Sequence, residues 1–214
     1  VDFSLCKWGA LGLQDGFRFG PLVGTSPHIA EHFASLNEAR IRSVEAHQAI
    51  KKCVVVITMS HFAPRHELLP ERRFLGAPHL PKVSGSRVIE AQLRRVRPHA
   101  HVFGHTHLPM DMLLDDGVRY LNWPLGSERE RLNVTRVVSG SGILMLRDGR
   151  EWAPPQWTFW CAWYAKTKRD PTITKPAPWA REAQRRHSGE QPHFFTEEDE
   201  EEAPYPRWPL DGDA

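Results

Sequence analysis

Three observations in the sequence predict an α/β fold, a mixed β-sheet flanked by helices. A continuous β-branched run from Cys53 to Thr58 is followed by a helical stretch and a second apolar run from His99 to Phe103. Each run delivers imidazole just past its C-terminal end, Ser60-His61 after the first and Gly104-His105-Thr106-His107 after the second. Beyond them, short apolar stretches are joined by Asp-Gly pairs, which supply the positive φ angles of hairpin turns.

The elements follow in order. Residues 1–27 are rich in glycine and aromatic residues without periodicity and read as an irregular segment. From His28 to Lys52 the pattern is helical. Ile29, Phe33 and Leu36 form one apolar stripe, Ile41 and Val44 continue it after a slip in register, and Asn37 is placed to cap a second helix. The run Cys53–Thr58 is expected to be a strand buried on both faces of a parallel sheet. Residues 62–83, with Pro64, Pro70, Pro78 and Pro81, form a long excursion, and long loops in compact domains are usually functional. Ser84-Gly85-Ser86 opens a helix with Ile89, Leu93 and Val96 inward, stopped by Pro98. His99–Phe103 is the next strand. Met112–Leu114 and Val118–Leu121 read as a hairpin about Asp115-Asp116-Gly117, and Gly142–Leu146 with Asp148-Gly149 as a further strand and turn.

The character changes near residue 171. Pro171, Pro176 and Pro178 precede a polar stretch and the block Glu197–Glu202, whose like charges repel and which offers little apolar surface to offset ordering. The expected organisation is therefore an irregular segment over 1–27, a domain over 28–171 and a disordered tail over 172–214. The tail is a solvated extension, or an interaction segment with a protein partner.

Composition narrows the function. The 40% hydrophobic and 25% charged fractions over 214 residues suit a soluble domain, with mean hydropathy lowered to -0.49 in keeping with non-core segments. A net charge of +2 without a basic, aromatic-interleaved patch is too small to argue for a nucleic-acid partner. No run approaches the roughly 18 apolar residues of a membrane span. Cys6, Cys53 and Cys161 are odd in number and widely spaced, which argues against a disulfide framework and a CxxC knuckle. Cys53 and Cys161 read as buried small hydrophobes, and a reducing, cytoplasmic location is expected. Trp152, Trp157, Trp160 and Trp163 read as a cap over the core.

The chemistry lies in the histidines. In extended chain, residues i and i+2 share a face, so His105 and His107 can converge on one metal centre together with His61 from the other strand end. His66, His79, His99 and His101 carry no motif and are read as structural or exposed. Asp111 and Asn122 are near enough in sequence to support a ligand, although turn formation is the commoner duty.

Gly104-His105-Thr106-His107 resembles the terminal GHxH motif of the calcineurin-like metallophosphoesterases, and Ser60-His61 resembles that family's preceding single-His motif. Ser60-His61-Phe62-Ala63-Pro64-Arg65, Lys82-Val83-Ser84-Gly85-Ser86 and Gly117-Val118-Arg119-Tyr120 with Trp123-Pro124-Leu125-Gly126 are similar to stretches of bacterial-type members. The likeness covers roughly residues 30–131 and extends toward 171.

The resemblance implies a partial calcineurin-like fold, a mixed β-sheet sandwich flanked by helices, and a hydrolase of phosphate mono- or diesters. Its cofactors would be two divalent ions, Mn, Fe or Zn, about 3.5–4 Å apart, acidifying a bridging water. Carried over by motif, His61 and His105 bind one metal and His107 the other, Arg65 steers a substrate phosphate, and Gly104 lets the chain turn tightly where the ligands meet. The family's Asp-x-His, GDxxDR and GNH[DE] motifs, which bear the bridging carboxylate and the catalytic His, are not found here, so no catalytic residue is assigned. The expectation is the C-terminal part of a phosphoesterase, inactive alone. The alternatives are a non-catalytic remnant serving as scaffold or partner-binding domain, and a tail-mediated interaction protein with inert histidines.

Overall fold

A computed structural model describes residues 27–50, 55–77, 80–128, 143, 145–149 and 151–188. Expectations that fall on 1–26, on Cys53 and on 189–214 lie outside these residues. The described chain is mixed α/β, with helices around a four-stranded sheet.

The first described element is α1, Pro27–Ile50, a single helix rather than two, with Asn37 exposed inside it. The first part of the expected stripe is not buried, since Phe33 and Leu36 are exposed, whereas its continuation, Ile41 and Val44, is half-buried. Ala34, Glu38 and Glu45, spaced at helical intervals, lie on the side that meets the next long helix. Arg95 clasps Glu38 and Glu45 in four hydrogen bonds of 2.8–3.0 Å, and Gln92 donates to the Ala34 carbonyl at 2.8 Å.

Strand β1, Ile57–Met59, runs one residue past the expected end at Thr58, and among the described residues it is the edge of the sheet rather than a strand covered on both faces. Ile57 is 43% and Met59 79% exposed. The Pro-rich excursion is partly structured, with 3-10 turns at His66–Leu68 and Arg72–Phe74 and a short helix α2, Leu80–Val83. It closes through a parallel bridge between Ala63 and Gly85.

Helix α3, Arg87–Val96, follows the sequence reading. Ser86 caps it by accepting from the Val88 N–H at 3.2 Å, Leu93 and Val96 are buried, and Arg97 turns left-handed before Pro98. Strand β2, Ala100–Val102, pairs in parallel with β1 and with β4, Arg119–Asn122; β3, Met110–Leu113, pairs antiparallel with β4. The sheet order is thus β1-β2-β4-β3. Between β3 and β4, the Gly117 N–H returns to the Leu114 carbonyl at 3.0 Å and Gly117 takes φ 75°, so the Asp-Gly turn forms as read. A two-stranded ribbon, β5 Leu146–Arg147 and β6 Glu151–Trp152, turns through Asp148-Gly149. Among the described residues the strands form these two sheets, one of four strands and one of two.

Helix α4, Phe159–Lys166, starts at Thr158 and carries buried Trp160 and Cys161. Trp160 lies 5.3 Å and Trp179 5.9 Å from the Phe74 ring, with the Arg73 guanidinium 4.4 Å from its centroid. Trp157 is exposed, so the four tryptophans do not form one cap. Residues 172–188, expected to begin the disordered tail, carry helix α5, Pro178–Ser188, with Ala177 and Ala180 fully buried. Small residues at its start let the backbone approach, and the Ala177 N–H bonds the Arg73 carbonyl at 2.8 Å. Among the described residues no helix is long and apolar enough to cross a membrane.

Candidate metal centre

Parallel pairing of β1 with β2 puts their C-terminal ends side by side, with Thr58 opposite His101 and Met59 opposite Val102. The pairing continues past both strands. The Ser60 N–H donates to the Val102 carbonyl and the Gly104 N–H to the His61 carbonyl, each at 3.0 Å. His61 and His105 therefore leave adjacent strand ends next to one another. His61 Nε2 and His105 Nδ1 are 3.1 Å apart, and the rings meet nearly edge to face at 75°. The Phe62 ring touches both, at 5.1 Å from His61 and 4.8 Å from His105.

The turn beyond β2 is strained at its histidines. His105 takes φ 67° and His107 φ 53°. The Thr106 N–H bonds the Gly104 carbonyl at 2.8 Å, so His105 is the centre of the rarer, positive-φ γ-turn. Such conformations cost about 1–3 kcal/mol each and persist where the surroundings over-determine them. Part of that determination comes from Asn122, fully buried, whose Nδ2 donates to Thr106 Oγ1 at 2.9 Å. Asn122 thus serves the turn rather than an imidazole.

Gly104 does not have the role expected of it. Its φ is not positive, and a Cβ there would lie 3.6 Å from His61 Nδ1, an ordinary contact. The tightest glycine is Gly85, where a Cβ would meet the Ala63 carbonyl oxygen at 1.8 Å; at Gly76 one would meet the Ala183 Cβ at 2.7 Å.

The donor set suits one ion in part. Nitrogens about 2.0–2.1 Å from a common metal are about 2.9–3.4 Å apart for bond angles from a right angle to tetrahedral, and the pair sits inside that range. As a hydrogen-bonded pair, one ring donates and the other accepts. Ligation by both nitrogens requires the donor ring to carry its proton on its other nitrogen. His107 is exposed, and among the described residues no three His, Cys, Asp or Glu side chains lie together as a metal group. The described residues therefore fit a two-imidazole chelate and do not complete a dinuclear centre.

Arg65 is committed to carboxylates. Its guanidinium contacts Glu67 at 2.7 Å, Asp116 at 2.8 Å and Asp115 at 3.1 Å, and the Glu67 hydrogen bond leads in raising its pKa. It lines a cleft of about 470 Å³ with His66, Glu67, Ser86, Arg87 and Glu90. Burial alone would raise the Asp116 carboxyl, but hydrogen bonds from Arg94, the Val118 N–H, Tyr120 and Arg65 hold it at about 2.

Asp111 supports no ligand either. It is buried and paired with Arg119 through two hydrogen bonds of 2.7 Å. His66 and His99 are exposed, as read; His79 lies outside the described residues. His101 is 1% exposed and holds hydroxyls on both ring nitrogens, Thr58 Oγ1 at 2.8 Å and Ser60 Oγ at 2.9 Å. A polar residue inside an apolar strand, facing Thr58 and Ser60 at i and i+2 of the neighbouring run, was the available signal.

Comparison with models of protein families, with curated proteins and with solved structures found no match to the chain.

Proposed function

We propose that the His61–His105 pair chelates a divalent transition metal, and that the chain carries the imidazole part of a calcineurin-like metallophosphoesterase centre. The observation that carries the reading is the 3.1 Å approach of two imidazole nitrogens at the carboxyl ends of adjacent parallel strands. The GHxH and single-His motifs are the support for the family and for phosphate esters as substrate class.

The ion, when bound, would polarise a phosphoryl oxygen and acidify a water. The chain's own residues present neutral nitrogens to it. His61 and His105 do so from a backbone tied together by the Gly104 N–H, and Phe62 packs against both rings and limits their rotation. His107, on the same turn, is the residue assigned to a second ion. Arg65 would have to exchange a carboxylate partner for a phosphate in order to steer one. With no Asp-x-His, GDxxDR or GNH[DE] motif in the sequence, nothing supplies a bridging carboxylate. The chain is therefore read as binding an ion without efficient turnover. That same lack favours a second reading, a scaffold or partner-binding domain that has kept the fold.

The experiment is metal binding and aryl phosphate hydrolysis by the purified chain with Mn²⁺ or Zn²⁺. Saturable binding that depends on His61 and His105, without hydrolysis beyond that of the free metal, is expected. Turnover abolished by His61→Ala would overturn the incompleteness of the centre. No metal binding at all would overturn the reading itself.

A further inference from the structure

His101 is placed to control the bend that carries His61. Ser60 Oγ has one proton and lies 2.6 Å from the Phe62 carbonyl oxygen, which can only accept. Ser60 therefore donates to Phe62, and its contact with His101 Nε2 at 2.9 Å must be donated by the imidazole. That fixes the ring as the Nε2–H tautomer. Nδ1 is left with a lone pair, which accepts the Thr58 hydroxyl at 2.8 Å. The Ala100 carbonyl, 3.5 Å from Thr58 Oγ1, is too distant to compete. The protons thus run one way, from Thr58 to His101 to Ser60 to the Phe62 carbonyl.

The end of that chain spans His61. The Ser60–Phe62 bond closes the bend whose middle residue is His61, and the His61 carbonyl is held by the Gly104 N–H. Phe62 rests on both imidazoles. His101 itself is fixed by burial and by Tyr120, whose ring lies 6.0 Å away in the paired strand. Without a donor at His101 Nε2, Ser60 loses the partner that selects its rotamer, and the clamp over His61 loses its support.

We propose that His101 is a positioning residue: through Ser60 it holds the bend that brings the His61 imidazole onto His105. The importance of this contact rests on the metal-chelate reading, but the positioning can be read without any metal.

The test uses the whole chain and the variants His101→Phe, His101→Gln, His101→Asn and Ser60→Ala. Ring-to-ring NOEs between His61 and His105 report the contact directly, and Co²⁺ affinity reports its use. Glutamine places an amide donor near Nε2, so His101→Gln should keep the NOEs and bind Co²⁺ within about threefold of the parent. His101→Phe and His101→Asn should lose the NOEs and weaken Co²⁺ binding at least about tenfold, as should Ser60→Ala. A merely structural role predicts the reverse ranking, with the apolar, ring-shaped phenylalanine the mildest change. Long-range ¹H–¹⁵N spectra of the parent should show Nε2 protonated and Nδ1 bare at His101. Should His101→Phe fail to fold, Ser60→Ala makes the same comparison with a smaller change. NOEs that persist in His101→Phe or in Ser60→Ala overturn the positioning. A parent chain that shows the NOE pattern but binds no Co²⁺ overturns the metal reading and leaves the positioning standing.

Discussion

Asn122, the last residue of β4, donates from Nδ2 to Thr106 Oγ1 at 2.9 Å and so ties the His105–His107 turn to the interior of the sheet. The Thr106 hydroxyl also accepts from the Leu108 N–H at 3.4 Å, and Thr106 is buried. Asn122→Ala leaves these groups short of a partner in a site closed to water. A loss of about 1–3 kcal/mol in urea denaturation is expected, together with faster amide exchange across residues 104–108. Unchanged exchange there would mean the turn holds itself.

The pair of Asp111 and Arg119 anchors the other face of the sheet. Asp111 stands opposite Leu121 across β3 and β4, which makes Arg119 its diagonal neighbour. The carboxylate also accepts from the Gln156 N–H at 2.7 Å, and Arg119 donates to the Ala153 carbonyl at 2.6 Å. Asp111→Ala should cost about 3–5 kcal/mol because it strands a buried guanidinium. Replacing both residues by apolar ones should cost less than the sum of the single changes, measured as a double-mutant cycle. Strict additivity would contradict the pairing.

The glycines give opposite expectations. Gly85→Ala drives a Cβ into the Ala63 carbonyl and breaks the bridge behind the His61 bend, at the upper end of the about 1–3 kcal/mol typical of overpacking or beyond. Gly104→Ala, inside the histidine motif, meets only ordinary contacts without a left-handed φ and should cost under about 1 kcal/mol. Thermal unfolding of the two variants settles the ranking, and Gly104→Ala as the worse of the two would refute it.

Acid should act first through His101. Burial lowers its pKa to about 4 from the ordinary 6.5, so the folded protein keeps it neutral where the unfolded chain takes up a proton. Its contribution is whole above about pH 6.5 and is lost as pH falls toward 4, by on the order of 3 kcal/mol. Asp116, held at about 2 against an ordinary 3.8, acts in a separate window, stabilising above 3.8 and losing that effect only as pH falls toward 2. Urea midpoints between about pH 7 and pH 4 should fall steeply for the parent and much less for His101→Phe. Equal slopes would show that His101 does not titrate on unfolding.

Much of the fold was legible because local chemistry decides it. The Ser86 cap, the Leu93 and Val96 face, the Arg97–Pro98 stop and the Asp116-Gly117 turn each follow from residues a few positions apart. Long-range contacts were less legible. Phe33 and Leu36 look like part of a core stripe, but both are exposed, and Glu38 and Glu45 of α1 face Arg95 of α3. Pro178 falls in the expected tail, yet it opens a helix whose Ala180 is fully buried. At the site, His61 and His105 were legible from motif order. His101 was not, because its role depends on strand register, which sets Thr58 beside it.

The central claim is that His61 and His105 form a metal chelate, and Co²⁺ titration followed by visible absorption tests it most directly. The account predicts one saturable equivalent, with affinity at least about tenfold weaker in His61→Ala and in His105→Ala and unaltered in His66→Ala, which removes an exposed imidazole. No saturable Co²⁺ binding by the parent, or equal affinity in the His61→Ala/His105→Ala double variant, would contradict it.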